Sequence, residues 1–298
     1  MSATDTHADE TTEPLPGPTR MRPNQIAIVI GVAIAIVVAL SGVAATVFQF
    51  HDDSPIQREV FDNIPGPLKL AFYTVIPVMF IYGAIMFSYR VRNWQRGGPD
   101  KRDINGKNAK RRMEKLRAGL YMQTLLRDPA AGIMHSMIYF GFLVLLAVTS
   151  VLEINHQLPE SAKFLHGSVY QAYAFVGDAA GLVFLGGVVW AIVRRYVQRP
   201  YRIRIKSKPE HAMILGSMLS IVVTGFGTEA FRIAYAGMPS FEKFSVLGYP
   251  LATLVDGLST SALSGWHRAF WVVHVLSFVA FLILLPTTML RHIFTSPI

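Results

Sequence analysis

Residues 266–298 read WHRAFWVVHVLSFVAFLILLPTTMLRHIFTSPI. The stretch from 266 to 290 is apolar enough and long enough to cross a bilayer core of about 30 Å, which takes about 20 helical residues. Three histidines punctuate it. At about 100° per residue, His267 and His274 differ by about −20°, and His274 and His292, eighteen residues apart, by about 0°. A continuous helix therefore presents all three on one face, with His274 and His292 about 27 Å apart along its axis. Such a helix offers an imidazole near each membrane surface.

Working outward, five further segments have the same length and character: 25–50, 67–89, 130–152, 169–193 and 211–235. The chain of 298 residues is 52% hydrophobic and 16% charged, with a mean hydropathy of +0.37. These values predict an all-α integral membrane protein with a six-helix bundle. Residues 1–24 form a Pro- and acid-rich leader with no packing pattern, expected to be disordered. The first span follows it as a retained helix, because the leader is acidic and the apolar run exceeds a signal-peptide h-region. Residues 25–298 then make up the membrane domain. Gly177 and Gly181 permit close helix approach, with Gly186 and Gly187 continuing the small-residue surface, and Pro77 and Pro286 are expected to bend their helices.

The net charge of +9 is unevenly placed. Nineteen of the 28 Lys and Arg residues fall in two loops, about 90–129 and 194–210. Basic loops mark the cytoplasmic side, so both lie inside and an even number of spans puts both termini in the cytoplasm of a bacterial plasma-membrane protein. This pattern also disfavours nucleic acid as a partner. It suits membrane lipid and a docked cytoplasmic protein. The linkers 51–66, 153–168 and 236–265 fall outside, and the last is long enough for a short capping helix. With no cysteine, the chain has neither disulfides nor an iron–sulfur cluster of its own.

An imidazole inside a bilayer needs a partner. A hydrogen bond to a neighbour serves for any single histidine, but repetition on one face favours haem ligation. A haem held by two imidazoles takes one histidine from each of two facing helices at one depth. Span three begins after Asp128 and Pro129, so His135 lies about one and a half turns into the membrane, level with His292. His135 and His292 are the candidate axial ligands of an inner haem, with Arg127 and Arg291 nearby in sequence for its propionates or for lipid phosphate. On the outer side His274 pairs with His166, or His267 replaces one of them. One haem b or two are open.

GIMHSMIYFGFLVLLAVTSVLEI resembles the histidine helix of nitrate reductase gamma-subunit-like membrane cytochromes, and HVLSFVAFLILLPTTMLRHIFTSP their last helix. HGSVYQAYAFVGDAAGLVFLGG and TGFGTEAFRIA extend the likeness to the membrane domain of heterodisulfide-reductase-related iron–sulfur oxidoreductases, of the electron-transfer-flavoprotein:menaquinone oxidoreductase type. The resemblance implies a b-type cytochrome passing electrons between a cytoplasmic iron–sulfur module, fed by electron-transfer flavoprotein, and menaquinone. It also implies that His135 and His292 are inner ligands and that His274 is an outer one. Two departures stand out. The gamma-subunit pattern has a second histidine ten positions after the first, where this chain has Leu145, and the cysteine-rich region is missing. A separate polypeptide or a longer chain is expected to carry those clusters. Whether copies of the chain associate is open.

Quinone chemistry moves two electrons and two protons. Glu229, Arg232 and His267 near the outer surface are the candidate quinone and proton residues, with Asp178 deeper and expected to be hydrogen-bonded to a neighbour. A structural ion pair is the competing role for Glu229 and Arg232. Two other functions are open: a proton- or metal-coupled transporter, and a passive anchor for a cytoplasmic enzyme.

Overall fold

In the computed structural model, residues 56–95, 105–120, 125, 128–201 and 208–295 are described. The leader, the span expected at 25–50 and Arg127 lie outside them. The described residues are all-α apart from one isolated bridge between Gln57 and His166. The helices are α1 (Gly66–Gln95), α2 (Gly106–Leu120), α3 (Pro129–Gln157), α4 (Gly167–Ile192), α5 (Pro209–Tyr235), α6 (Gly248–Thr253), α7 (Thr260–Thr287) and α8 (His292–Thr295). Five are long and apolar enough to cross a membrane: α1, α3, α4 with its π-helical extension Val193–Gln198, α5 and α7. The protein is accordingly a multi-pass membrane protein.

Local chemistry sets where the spans begin. Asp128 caps α3, its Oδ1 accepting from the Ala131 amide at 3.2 Å, and Pro129 follows where a missing N–H costs nothing. Arg194 donates to the other Asp128 oxygen at 2.8 Å, tying the end of α4 to the start of α3. Ser259 caps α7 through the Ala262 amide. At the other end of α3, Asn155 Oδ1 accepts from the Phe164 and Leu165 amides at 2.8 and 2.9 Å, which closes the α3–α4 connection.

The core lies among α4, α5 and α7, where Phe184, Val188, Met218, Val222, Phe226 and Phe281 interlock. α3 packs along α4, and α1 packs on α7 at the periphery with Leu70, Phe80 and Ile81 exposed. In a bilayer those side chains meet lipid. Gly141 lets α3 touch α4, since a Cβ there would stand 2.9 Å from Phe184 Cβ and 3.0 Å from its Cα. Gly187 does the same against Met137 and Ile138. Gly181 faces Phe226 on α5 instead, so the small-residue surface of α4 serves two neighbours. Gly141→Leu is expected to force α3 from α4 and cost at least about 1–3 kcal/mol. An unchanged thermal midpoint of the detergent-solubilised protein would contradict that packing.

One expectation is corrected. Residues 266–290 are not one uninterrupted helix: α7 stops at Thr287, one residue after Pro286, and a 3₁₀ turn over Met289–Arg291 leads into α8. Thr288 is extended (φ −108°, ψ −169°), and its hydroxyl donates to Leu284 O while accepting from Leu290 N. Proline's missing amide and the competing threonine hydroxyl end the helix. His292 thus stands on α8, and the one-face argument linking it to His274 fails.

Candidate functional site

The helix break at Thr288 still delivers His292 to His135. The two rings lie 6.0 Å apart between centroids, inclined at 56°. His292 Nδ1 is 2.6 Å from Met289 O, a carbonyl that can only accept, so Nδ1 carries the proton and Nε2 keeps its lone pair. His135 Nδ1 is buried and has no hydrogen-bond partner among the described residues. Two metal–imidazole bonds of about 2.0 Å plus about 1.1 Å from each ligating nitrogen to its ring centre total about 6 Å. The spacing of the pair therefore matches that of two imidazoles that would hold one iron between them. Arg291 is partly buried, its Nη1 donating to Thr288 O at 3.1 Å.

His274 is prepared in the same way. Its Nδ1 donates to Ile221 O at 2.9 Å, leaving Nε2 with a lone pair, and Thr224 Oγ1 lies 3.2 Å from Nδ1. Gly225 makes room for this ring, because a Cβ there would lie 3.2 Å from His274 Cε1.

His267 differs. Its Nδ1 accepts from Asn63 Nδ2 at 3.2 Å, so the proton is on Nε2. The amide orientation is fixed independently: Asn63 Nδ2 also donates to Ser264 O, and its Oδ1 accepts from Ser264 Oγ and Arg268 Nη2. His267 is buried and accepts through Nδ1, unlike His274 and His292, whose Nδ1–H groups donate to carbonyls. His166 is exposed as the residue before α4, with its backbone bridged to Gln57. Among the described residues no ring contact joins His166 to His274.

Glu229 and Arg232 belong to a larger buried cluster at the end of the bundle away from the start of α3. Arg232 Nη1 donates to Glu242 Oε1 at 2.6 Å, whereas its Nη2 is 3.9 Å from Glu229 Oε1. The short pair is therefore with Glu242, not with the helix neighbour three residues away. Tyr170 OH donates to the same Glu242 carboxylate at 2.9 and 3.0 Å. Burial alone would raise the Glu242 pKa, but the Arg232 charge and hydrogen bond, with Tyr170, hold it below the ordinary value of 4.5. Glu229 Oε1 accepts from Ser245 Oγ at 3.0 Å. Asp178 Oδ2 accepts from the Leu247 and Gly248 amides at 2.7 and 2.9 Å, so it has backbone partners at the start of α6. A Cβ at Gly248 would lie 2.7 Å from Glu229 Oε2, so both carboxyl groups converge there.

Glu242 and Arg58 emerge only from the fold. The 3₁₀ turn Ser240–Phe244 inserts Glu242, 1% exposed, while the segment before α1 inserts Arg58. Arg58 Nε and Arg232 Nε and Nη2 are buried without a hydrogen-bond acceptor among the described residues, each such donor costing about 1–3 kcal/mol. In sequence Glu242 sits in a polar linker beside Lys243, and Arg58 in a short charged linker, which reads as solvated.

The chain is distantly homologous to the EtfAB:quinone oxidoreductase of Syntrophomonas wolfei subsp. wolfei, 30% identical over 266 residues, covering 84% of this chain and 36% of that protein. It also matches a probable iron-sulfur-binding oxidoreductase, FadF, of Bacillus subtilis, 25% identical over 174 residues, or 58% of this chain and 24% of the relative. The chain spans about a third or less of the length of these curated relatives. Neither a family model nor a solved structure matches.

Proposed function

We propose that this chain is the haem b-carrying membrane module of a quinone-linked oxidoreductase, passing electrons between a cytoplasmic iron–sulfur or flavoprotein partner and the menaquinone pool of a bacterial plasma membrane. The observation that carries the reading is the 6.0 Å approach of the His135 and His292 rings from separate helices. The homology to an EtfAB:quinone oxidoreductase supports the same class of chemistry. Haem held by these two residues would supply a one-electron carrier near the end of the bundle that bears the basic segments. His274, with Nε2 free, is the residue of the far end suited to a second haem.

Quinone exchange belongs to the Glu229, Arg232 and His267 cluster. There Glu229 takes or gives a proton, the Nε2–H of His267 donates, and Arg232 fixes the charge balance against Glu242. Helix α2 carries exposed Lys107, Lys110, Arg111 and Lys115, and its basic face suits both anionic lipid and an acidic patch on a cytoplasmic redox partner.

The test is to purify the chain, record its reduced-minus-oxidised spectrum and add a menaquinol analogue anaerobically. A sharp alpha band that the quinol itself develops is the expected result. A colourless preparation that catalyses solute flux would replace this reading with that of a transporter.

A further inference from the structure

Resting on the quinone reading, we propose that the quinone enters sideways from the lipid between α3 and α4, its prenyl tail in a groove there and its ring oxygen taken by the guanidinium groups of Arg58 and Arg232. Two independent observations converge on this site. The first is the set of buried, acceptor-less donors on Arg58 and Arg232. Arg232 is 8% exposed, and its Nη1 is committed to Glu242, while Nε and Nη2 have only Glu229 Oε1 at 3.9 Å from Nη2. Arg58 follows Gln57, whose backbone pairs with His166 at the start of α4, the helix that carries Tyr170 and Tyr173. A carbonyl oxygen accepts from such forks without adding a charge to be buried.

The segment that brings Arg58 in is firmly held. Gly167 N donates to Ile56 O at 2.8 Å, and Asn63 is bonded to Ser264, His267 and Arg268. Phe61, at φ 63°, packs edge-on against Phe72, Tyr73, His156 and Trp271. Arg58 is thus presented by a strap that is pinned on both sides.

The second observation is a groove of about 490 Å³ on the span surface, walled by Leu143, Ala147 and Val148 of α3 and by Ala172, Tyr173 and Val176 of α4. It runs from Phe164 and Leu165 at the cluster end down to Leu143, and Leu143 to Val151 covers about 12 Å of helix. Its wall is hydrocarbon except for Tyr173, whose hydroxyl donates to Val148 O at 3.1 Å. Tyr173 stacks on Tyr170 with centroids 6.1 Å apart, and Tyr170 is bonded to Glu242, the partner of Arg232. The polar cluster therefore lies behind the tyrosine end of this apolar surface groove, linked to it through Tyr173 and Tyr170. A prenylated quinone matches that polarity, with its ring at the tyrosines and its tail toward mid-bilayer. An acyl chain alone leaves the donors unanswered.

The experiment uses the full chain in nanodiscs and two probes: a naphthoquinone with a photoreactive group at the end of a prenyl tail, and a tail-less naphthoquinone. Label is expected within residues 143–151 or 169–176, and excess prenylated naphthoquinone should abolish it. Ala147→Trp, at an exposed position that leaves packing intact, should lower affinity for the prenylated probe about tenfold and leave the tail-less one unchanged. Arg58→Leu should weaken both about tenfold, with Arg58→Lys recovering part. Label elsewhere, label that quinone does not displace, or equal loss of both probes in Ala147→Trp overturns the proposal. Binding as expected in a haem-free protein would sink the electron-carrier reading while leaving this site standing.

Discussion

Replacing His135 with alanine is expected to strip the haem next to the basic end of the bundle while leaving the helices assembled. The ring is partly buried on α3 with its Nδ1 unpartnered among the described residues, so its removal deletes no hydrogen bond at that atom. On the proposed assignment it deletes one of the two bonds that would hold the iron. His292→Ala should give the same loss, because its Nδ1–H to Met289 O only orients the ring. Haem per chain, measured by pyridine haemochrome, should fall by about one equivalent in either variant and by no more in the double variant, since both act on one iron. Additive losses would mean that the two histidines serve different groups.

The second large effect concerns stability. Glu242→Gln preserves shape but leaves the Arg232 charge facing a neutral amide, with Glu229 3.9 Å away as its remaining acid. Breaking a buried pair by removing one partner costs about 3–5 kcal/mol. The expected result is a sharp fall in the thermal midpoint of the solubilised protein, with haem at His135 and His292 retained until unfolding. The pH dependence has a defined sign. Because Glu242 sits below its ordinary value of 4.5, its contribution is present above that value and is lost only as pH falls through the lowered one. Wild-type stability should thus hold through mild acid, and the Gln variant should lack that acid-dependent component.

The span pattern was legible because hydropathy over about 20 residues needs no tertiary information. The approach of His135 to His292 was legible too, though partly for a reason the fold revises: His292 reaches its level by a turn after Pro286, not by staying on the face of α7. The protonation pattern that separates His274 and His292 from His267 lies beyond sequence, because it depends on Ile221, Met289 and Asn63 being brought alongside. The Glu229–Arg232 spacing suggested a helix pair, and the stronger bond went to a residue ten positions on, inserted by a 3₁₀ turn. Linkers that look solvated one residue at a time carry the most deeply buried charge in this cluster.

The central claim is tested most directly by the low-temperature electron paramagnetic resonance spectrum of the oxidised wild-type chain. Two imidazoles on one iron predict a low-spin ferric signal that disappears in both His135→Ala and His292→Ala. A preparation reconstituted with haem that shows only high-spin iron, or whose low-spin iron per chain is undiminished by both substitutions, would contradict it.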